Sequence, residues 1–144
     1  MSRPPGALCI EEMLAQARSA LRRLTAAQAY EAQGAAAVLV DIRPGWQRAD
    51  EGAVPGALVV ERNHLEWRFD PECEARLPEA TGYDLQVIVL CSEGYTSSLA
   101  AASLHTLGLR NATDVIGGFH AWRAQGLPHH HPPRYVSISG SGGC

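Results

Sequence analysis

A cysteine stands at the junction between an apolar run and a loop of small polar residues. The apolar run covers residues 86–90, Cys91 follows it directly, and the loop that comes next contains Gly94 and several hydroxyl side chains. The alanine-rich segment 96–108 then has the apolar spacing of a helix. This order predicts that Cys91 lies at the carboxyl end of a strand, immediately before the N-terminus of a helix.

The backbone of such a junction can stabilise negative charge on sulfur. Amide N–H groups at a helix N-terminus have no partner within the helix and carry partial positive charge. A loop with a glycine can also curl so that successive N–H groups point inward and form an anion site. A thiolate at Cys91 therefore needs no histidine base beside it. The loop residues predicted to surround the sulfur are Ser92, Glu93, Gly94, Tyr95, Thr96 and Ser97.

Two apolar runs predict strands that are buried on both faces, as in a parallel sheet. They cover residues 36–42 and 86–90, and shorter strands are predicted at 57–60 and 113–116. Turn residues throughout 43–57 predict a long connection. The segments with helical periodicity or helix-capping signals are 10–24, 26–33, 63–69, 96–108 and 117–126.

Alternating strands and helices predict a mainly parallel α/β sheet with helices on both faces. Ligands of such sheets bind beyond the carboxyl ends of the strands. Cys91 follows one buried strand, while Asp41 and Arg43 straddle the end of the other. We therefore expect these residues at one sheet edge, with Arg43 near the substrate. Asp41 is expected to order the loop or to pair with an arginine.

Composition and charge exclude several classes of protein. The chain has 144 residues, of which 46% are hydrophobic and 19% charged, and a net charge of -3, as is typical of a single globular domain. No basic stripe is present to neutralise nucleic-acid phosphates. No apolar stretch approaches the roughly 20 residues that span a bilayer, and the first residues lack the apolar centre of a signal peptide. The sequence thus predicts a cytoplasmic protein that binds neither nucleic acid nor membrane.

Four segments resemble motifs of the single-domain rhodaneses. VLVDIRP at 38–44 is similar to the first strand of that family with its Asp-x-Arg pair, and EGAVPGALVV at 51–60 resembles the segment that follows it. VIVLCSEGYTSS at 87–98 resembles the active-site loop, and VIGGFHAW at 115–122 resembles the final Gly-Gly-aromatic-x-x-Trp element. The resemblance extends from about Leu24 to Pro128.

The resemblance implies a rhodanese-like three-layer α/β fold and a sulfurtransferase. Residues 1–23 would be an N-terminal helical extension, 24–128 the rhodanese-like domain and 129–144 a mobile tail. The sulfane sulfur of a persulfide or thiosulfate donor would pass through a persulfide on Cys91 to a thiol or cyanide acceptor. The expected partners are a small-molecule or protein persulfide donor and a thiol acceptor.

The active-site loop departs from that of thiosulfate-using members, which often carry Arg or Lys after the cysteine. Here Glu93 adds negative charge at the mouth of the site. Two like charges about 6 Å apart repel by roughly 2–3 kcal/mol at an effective dielectric of about 20. We therefore expect thiosulfate, a dianion, to be a poor donor, and a persulfide docked through Tyr95 to be a better one.

Two further functions remain open at the level of the sequence. Many rhodanese-like domains have lost the cysteine and serve as interaction or sensor domains, although this chain keeps Cys91. Related dual-specificity phosphatases and arsenate reductases have a loop one residue longer that ends in Arg. Thr96 and Ser97 occupy that region here, so a phosphate ester would lack its bidentate partner.

The remaining cysteines and the histidines receive simpler interpretations. None of the four cysteines forms a CxxC pair, so neither a zinc site nor a disulfide framework is predicted. Cys144 ends a SGSGGC tail and is either an incidental thiol or a resolving thiol for persulfidated Cys91. The run His129–His131 could bind a transition metal adventitiously, but no metal or other cofactor is predicted. The isolated histidines, interpreted as structural or solvated, are His64, His105 and His120.

Overall fold

A parallel four-stranded sheet forms the centre of the protein. The computed structural model describes residues 2–131. All neighbouring strands run parallel, in the order β2-β1-β3-β4. The strands are β1 (Val38–Asp41), β2 (Leu58–Val59), β3 (Val87–Leu90) and β4 (Thr113–Asp114). The predicted α/β fold with a central parallel sheet is confirmed.

Helices cover both faces of this sheet. One face packs against α4 and α5, and the other packs against α2 and α6, while α1 lies on α5. A short 3₁₀ turn at Arg62–His64 leads into α4. The helices within the described residues are α1 (Ile10–Arg18), α2 (Ala26–Gly34), α3 (Gly45–Glu51), α4 (Leu65–Phe69), α5 (Thr96–Thr106) and α6 (Gly118–Ala124).

Strand β3 explains why a continuous apolar run was a reliable sign of a buried strand. Val87 and Val89 pack into the core beneath α4 and α5, whereas Ile88 and Leu90 pack into the core beneath α2 and α6. All four side chains are fully buried. Because successive strand residues point to opposite faces, a strand covered on both sides requires apolar residues at every position.

Two segments differ from the prediction. Helix α3 occupies Gly45–Glu51, where a long connection was expected, and it ends where Gly52 adopts a φ of 116°. Helix α1 stops at Arg18 instead of continuing to Leu24. Leu24 instead forms a parallel bridge with Val115 beyond β4, with backbone hydrogen bonds on both sides. This tertiary pairing overrides the helical preference of the segment.

Both ends of the described chain contact the domain. Helix α1 packs on α5, and His130 forms an antiparallel bridge with Ala53 through two backbone hydrogen bonds. Residues 132–144 lie outside the described residues, and with them Cys144, so its two interpretations, an incidental thiol or a resolving thiol, both stay predictions. The predicted division into extension, domain and tail likewise stays a prediction.

Candidate active site

Cys91 lies at the carboxyl end of β3, on the floor of a cavity of about 460 Å³. It is 4% exposed, and its Sγ accepts a hydrogen bond from the Gly94 N–H at 3.2 Å. The other cavity residues that matter for its chemistry are Arg43, Glu51, Ser92, Glu93, Tyr95 and His120. A second cavity, of about 600 Å³, is lined by Gln86 at the amino end of β3 and contains no cysteine or histidine. The cavity that contains Cys91 is therefore the one at the carboxyl edge, where a parallel sheet is expected to bind its ligand.

The loop after Cys91 presents its backbone to the sulfur. Gly94 has a φ of 88°, and Tyr95 has φ -100° and ψ -67°. Such an alternation of left- and right-handed residues turns successive N–H groups to one side of the chain. The carbonyl groups of Cys91 and Ser92 accept hydrogen bonds from the N–H groups of Phe119 and His120, at 2.8 and 3.1 Å. These two backbone hydrogen bonds therefore fix the loop to the first turn of α6.

The Gly117–Gly118 pair is what allows α6 to approach the loop so closely. Gly118 has a φ of 59°, and a Cβ on it would lie 2.5 Å from the carbonyl oxygen of Cys91. A Cβ on Gly94 would lie 2.8 Å from the backbone nitrogen of Gly117. Both faces of this contact therefore require glycine, which accounts for the Gly-Gly element seen in the sequence.

Arg43 is buried beside the cavity and is held by protein groups. Its Nη2 lies 2.6 Å from Asp41 Oδ2, its Nη1 lies 3.0 Å from Glu51 Oε1, and it also donates to the carbonyl of Gly52. Burial by itself lowers the pKa of Arg43, but the hydrogen bonds and charges of Asp41 and Glu51 outweigh it and raise that pKa. The guanidinium group is thus already paired with two carboxylates. That Arg43 also contacts substrate stays a prediction.

Glu51, Ser92 and His120 form a hydrogen-bonded group at the cavity wall. The Ser92 hydroxyl lies 2.9 Å from both carboxylate oxygens of Glu51 and 3.2 Å from His120 Nε2. Burial raises the pKa of Glu51, but hydrogen bonds from Ser92, Arg43 and Gln47 outweigh burial, so the pKa is lowered. Glu51 is therefore an anion at neutral pH, next to a serine hydroxyl and an imidazole.

Sequence reasoning missed Glu51 and His120. Glu51 was missed because the segment that carries it was interpreted as a connection, although it is the last residue of α3. His120 was interpreted as structural or solvated, yet it lines the cavity with Cys91. The available signal was its position inside the motif VIGGFHAW, whose glycines must contact the active-site loop.

The predicted loop residues divide into two groups. Ser92, Glu93, Tyr95 and Thr96 line the cavity with Cys91. Ser97 lies on the other side of the loop, where it is fully buried and donates to a carboxylate at 2.7 Å. The structure thus brings four of the predicted residues together at the cavity mouth and directs Ser97 away from it.

The fold and this site match a known family. The family model described as "Rhodanese-like domain" matches residues 25–125, so the chain belongs to the rhodanese-like domain family. A solved structure from Rhodopseudomonas palustris CGA009, of a protein of unknown function described as a possible tyrosine phosphatase, is 32% identical, with a TM-score of 0.78. The match covers 90% of this chain and 99% of that chain. The resemblance inferred from the sequence is thereby confirmed.

Curated relatives agree with this family. The thiosulfate sulfurtransferase GlpE of Stutzerimonas stutzeri is 33% identical over 102 residues, which cover 71% of this chain and 84% of that protein. The adenylyltransferase and sulfurtransferase UBA4 of Candida albicans is 32% identical over 85 residues. The chain spans only 19% of the length of that larger protein. These relatives are sulfurtransferases by name, and the family they share with this chain is that of the rhodanese-like domains.

Between residues 2 and 131, no helix combines the length and the apolar character needed to cross a membrane. The same residues contain no group of three or more His, Cys, Asp or Glu side chains placed to hold a metal ion.

Proposed function

We propose that the protein transfers sulfane sulfur through a persulfide on Cys91. The observation that carries this proposal is the position of the Cys91 Sγ on the cavity floor, within hydrogen-bonding distance of the Gly94 N–H. A nucleophilic thiol needs access to a donor and stabilisation of its anionic form. The cavity supplies access, and the loop amide supplies stabilisation.

The reaction consists of two displacements at sulfur. In the first, the Cys91 thiolate attacks the outer sulfur of a persulfide R–S–SH, the S–S bond breaks, and Cys91–S–SH forms as R–S⁻ leaves. In the second, an acceptor thiolate R′–S⁻ attacks the outer sulfur, forms R′–S–SH and releases the Cys91 thiolate. The sulfur atom moves without net oxidation or reduction, and double displacement gives ping-pong kinetics.

The charges around the cavity favour a persulfide over thiosulfate as donor. Glu93 is exposed at the mouth and Glu51 is an anion at the wall. Of the two arginines that line the cavity, Arg43 is already paired with two carboxylates and Arg62 is paired with Glu66. Between residues 2 and 131 no cation forms an ion pair with Glu93, so a dianion entering this cavity would meet its negative charge. Tyr95, whose side chain is 59% exposed, offers an aromatic surface for the organic part of a persulfide.

The test combines mass analysis with a donor comparison. The wild type is treated with glutathione persulfide or thiosulfate, and the mass of the peptide that contains Cys91 is measured. Transfer to cyanide is followed in parallel. We expect the gain of one sulfur atom and turnover with the persulfide, lower turnover with thiosulfate, and neither in Cys91→Ser.

Cys73→Ser is the matched control, since it removes a half-buried thiol that lies outside the cavity. It should behave as the wild type does. Turnover of Cys91→Ser at the wild-type rate would refute the assignment. A wild type that gains no sulfur from any donor would instead support the non-catalytic interaction or sensor domain.

A phosphatase is the second candidate, because the Rhodopseudomonas palustris neighbour is described as a possible tyrosine phosphatase. The loop of this chain, residues 92–97, contains no arginine for a phosphate ester. Assays with an aryl phosphate and with arsenate, in wild type and in Cys91→Ser, distinguish the activities.

We further propose that the protein works in a reducing compartment such as the cytoplasm, because the Cys91 thiol must stay reduced.

A further inference from the structure

Two arginines that precede the family domain converge on the active-site loop. Arg18 Nη2 donates to the carbonyl oxygen of Gly94 at 2.7 Å, and Arg23 Nη2 donates to the same oxygen at 3.0 Å. The family match begins at residue 25, so both arginines belong to the segment before it. The loop that contains no arginine of its own is thus contacted by two from elsewhere in the chain.

A buried carboxylate fixes both arginines in place. Asp114 is fully buried, and Arg23 donates to its two oxygens at 2.8 and 3.2 Å. The hydroxyls of Ser97 and Ser98 each donate to Asp114 Oδ2 at 2.7 Å, and Arg18 Nε donates to Ser98 Oγ at 2.9 Å. Planar guanidinium groups that donate in two directions hold their partners in one geometry.

The contact with the Gly94 carbonyl sets the direction of the neighbouring amide. In a trans peptide the C=O and the following N–H point in opposite directions. The arginines hold the Gly94 oxygen on the side of the loop away from the cavity, where α1 and β4 lie. The N–H of Tyr95 therefore points away from the two arginines, and the N–H that donates to the Cys91 Sγ is that of Gly94, in the preceding peptide of the same loop.

The two arginines also differ in charge balance. Arg23 is paired with Asp114, whereas within residues 2–131 the guanidinium of Arg18 forms no ion pair with a carboxylate. The positive charge of Arg18 is therefore not neutralised by a direct partner, and it is partly buried against the loop. In this setting a charge acts on its surroundings more strongly than it would in water.

We propose that Arg18 and Arg23 are positioning residues for sulfur transfer. They aim the backbone amides of the loop at the sulfur of Cys91, and Arg18 adds the positive charge that the loop sequence lacks. The proposal rests on the proposed function in naming sulfur as the stabilised group. It concerns the segment before the rhodanese-like domain, which thereby becomes part of the active site.

The test measures the thiolate of Cys91 directly, without a sulfur donor. Iodoacetamide alkylation of the Cys91 peptide is timed at about pH 7 and at about pH 10, on either side of the usual range of thiol ionisation. Arg18→Gln should alkylate about tenfold more slowly than wild type at the lower pH, a smaller loss than the hundredfold or more that removal of a direct donor causes. At the higher pH the two rates should agree, because the thiol is ionised in both.

Further variants separate the role of the charge from that of the geometry. Arg18→Lys keeps the charge but cannot donate to Gly94 and Ser98 in the same planar fork, and it should regain part of the rate. Arg22→Gln is the matched control, because Arg22 is exposed and lines the opposite cavity. The charged and ionisable side chains that line the cavity are the same in wild type and in every variant, so they cancel when a variant is compared with wild type at the same pH. They are Arg43, Glu51, Arg62, Glu93, Tyr95 and His120.

Two outcomes would overturn the inference. One is an Arg18→Gln variant whose ratio of rates at the two pH values equals that of wild type, even if urea unfolding shows lower stability; such a result means a structural role alone. The other is an equal loss in Arg22→Gln. If the wild type transfers no sulfur while the alkylation ratio still responds to Arg18→Gln, the proposed function fails and the positioning role stands.

Discussion

Gly118, the first residue of α6, is the place where one methyl group would displace the active-site loop. A Cβ there would lie 2.5 Å from the carbonyl oxygen of Cys91 and 2.7 Å from that of Ser92. These separations fall about 1 Å short of ordinary van der Waals contact at about 3.5 Å. The atoms are backbone atoms on both sides, so Gly118→Ala has to move either the loop or the helix.

Gly126→Ala provides a reference for the cost in stability. Gly126 has a φ of 70°, close to the 59° of Gly118, but a Cβ on it meets nothing within 4 Å. The left-handed backbone costs an alanine about 1–2 kcal/mol at either position. The overlap at Gly118 adds about 1–3 kcal/mol. A domain with about 5–15 kcal/mol of stability retains its fold in both variants.

The effect on activity should be larger than the effect on stability. A shift of about 1 Å at a reacting group can lower the rate about a hundredfold, and we expect that loss in kcat for Gly118→Ala with a persulfide donor. Gly126→Ala should keep its wild-type kcat, because it lies outside the cavity. Urea unfolding and turnover are measured for both variants. Equal stability and equal kcat in the two would refute the packing argument.

Two further predictions concern the carboxylates near the cavity. Arg43→Met should lose about 3–5 kcal/mol of stability in urea unfolding, because it leaves Asp41 charged and buried, and adding Asp41→Asn should restore part of it. Arg110→Met, at an exposed arginine, should lose much less; equal losses would contradict the prediction. The pKa of Glu51 is lowered from 4.5, so its contribution to stability is present above that pH and is lost as the pH falls through the lowered value. Between about pH 5 and about pH 3 the free energy of unfolding should therefore fall more steeply in wild type than in Glu51→Gln, and equal slopes would show that Glu51 contributes nothing.

Local patterns in the sequence were sufficient to predict the sheet and the position of Cys91 at its carboxyl edge. Strand β3 is apolar at every position because helices cover both of its faces, and Cys91 follows it where the strand must end. The parallel edge then predicts where the cavity lies, and the structure has it there. These features depend on neighbours in sequence, and for that reason a single sequence reveals them.

The parts that could not be predicted depend on contacts between distant segments. Leu24 pairs with Val115 in a β-bridge instead of continuing the N-terminal helix. No residue near Leu24 in the sequence predicts this pairing. The same bridge brings Arg23 beside Asp114 and the loop. Helix α3 escaped detection because its glycine and proline neighbours are also typical of turns. Glu51, the last residue of α3, was therefore missed as well.

The proposed function and the proposed role of Arg18 and Arg23 together predict a site that favours an anionic sulfur and still disfavours an anionic donor. Arg18 and Arg23 lie behind the loop, where they contact the backbone at Gly94. Glu93 and Glu51 line the cavity through which a donor must enter. The two arginines that line it with them, Arg43 and Arg62, are already paired with carboxylates. Positive charge behind the sulfur stabilises a thiolate that is already in place, and negative charge at the entrance repels a free dianion. The number of basic residues in the loop therefore reflects only the charge at the entrance of the cavity, and not the charge behind the sulfur. The donor preference of this protein should therefore differ from that of a relative whose cationic side chains lie in the loop itself, even where the thiolate is equally stabilised.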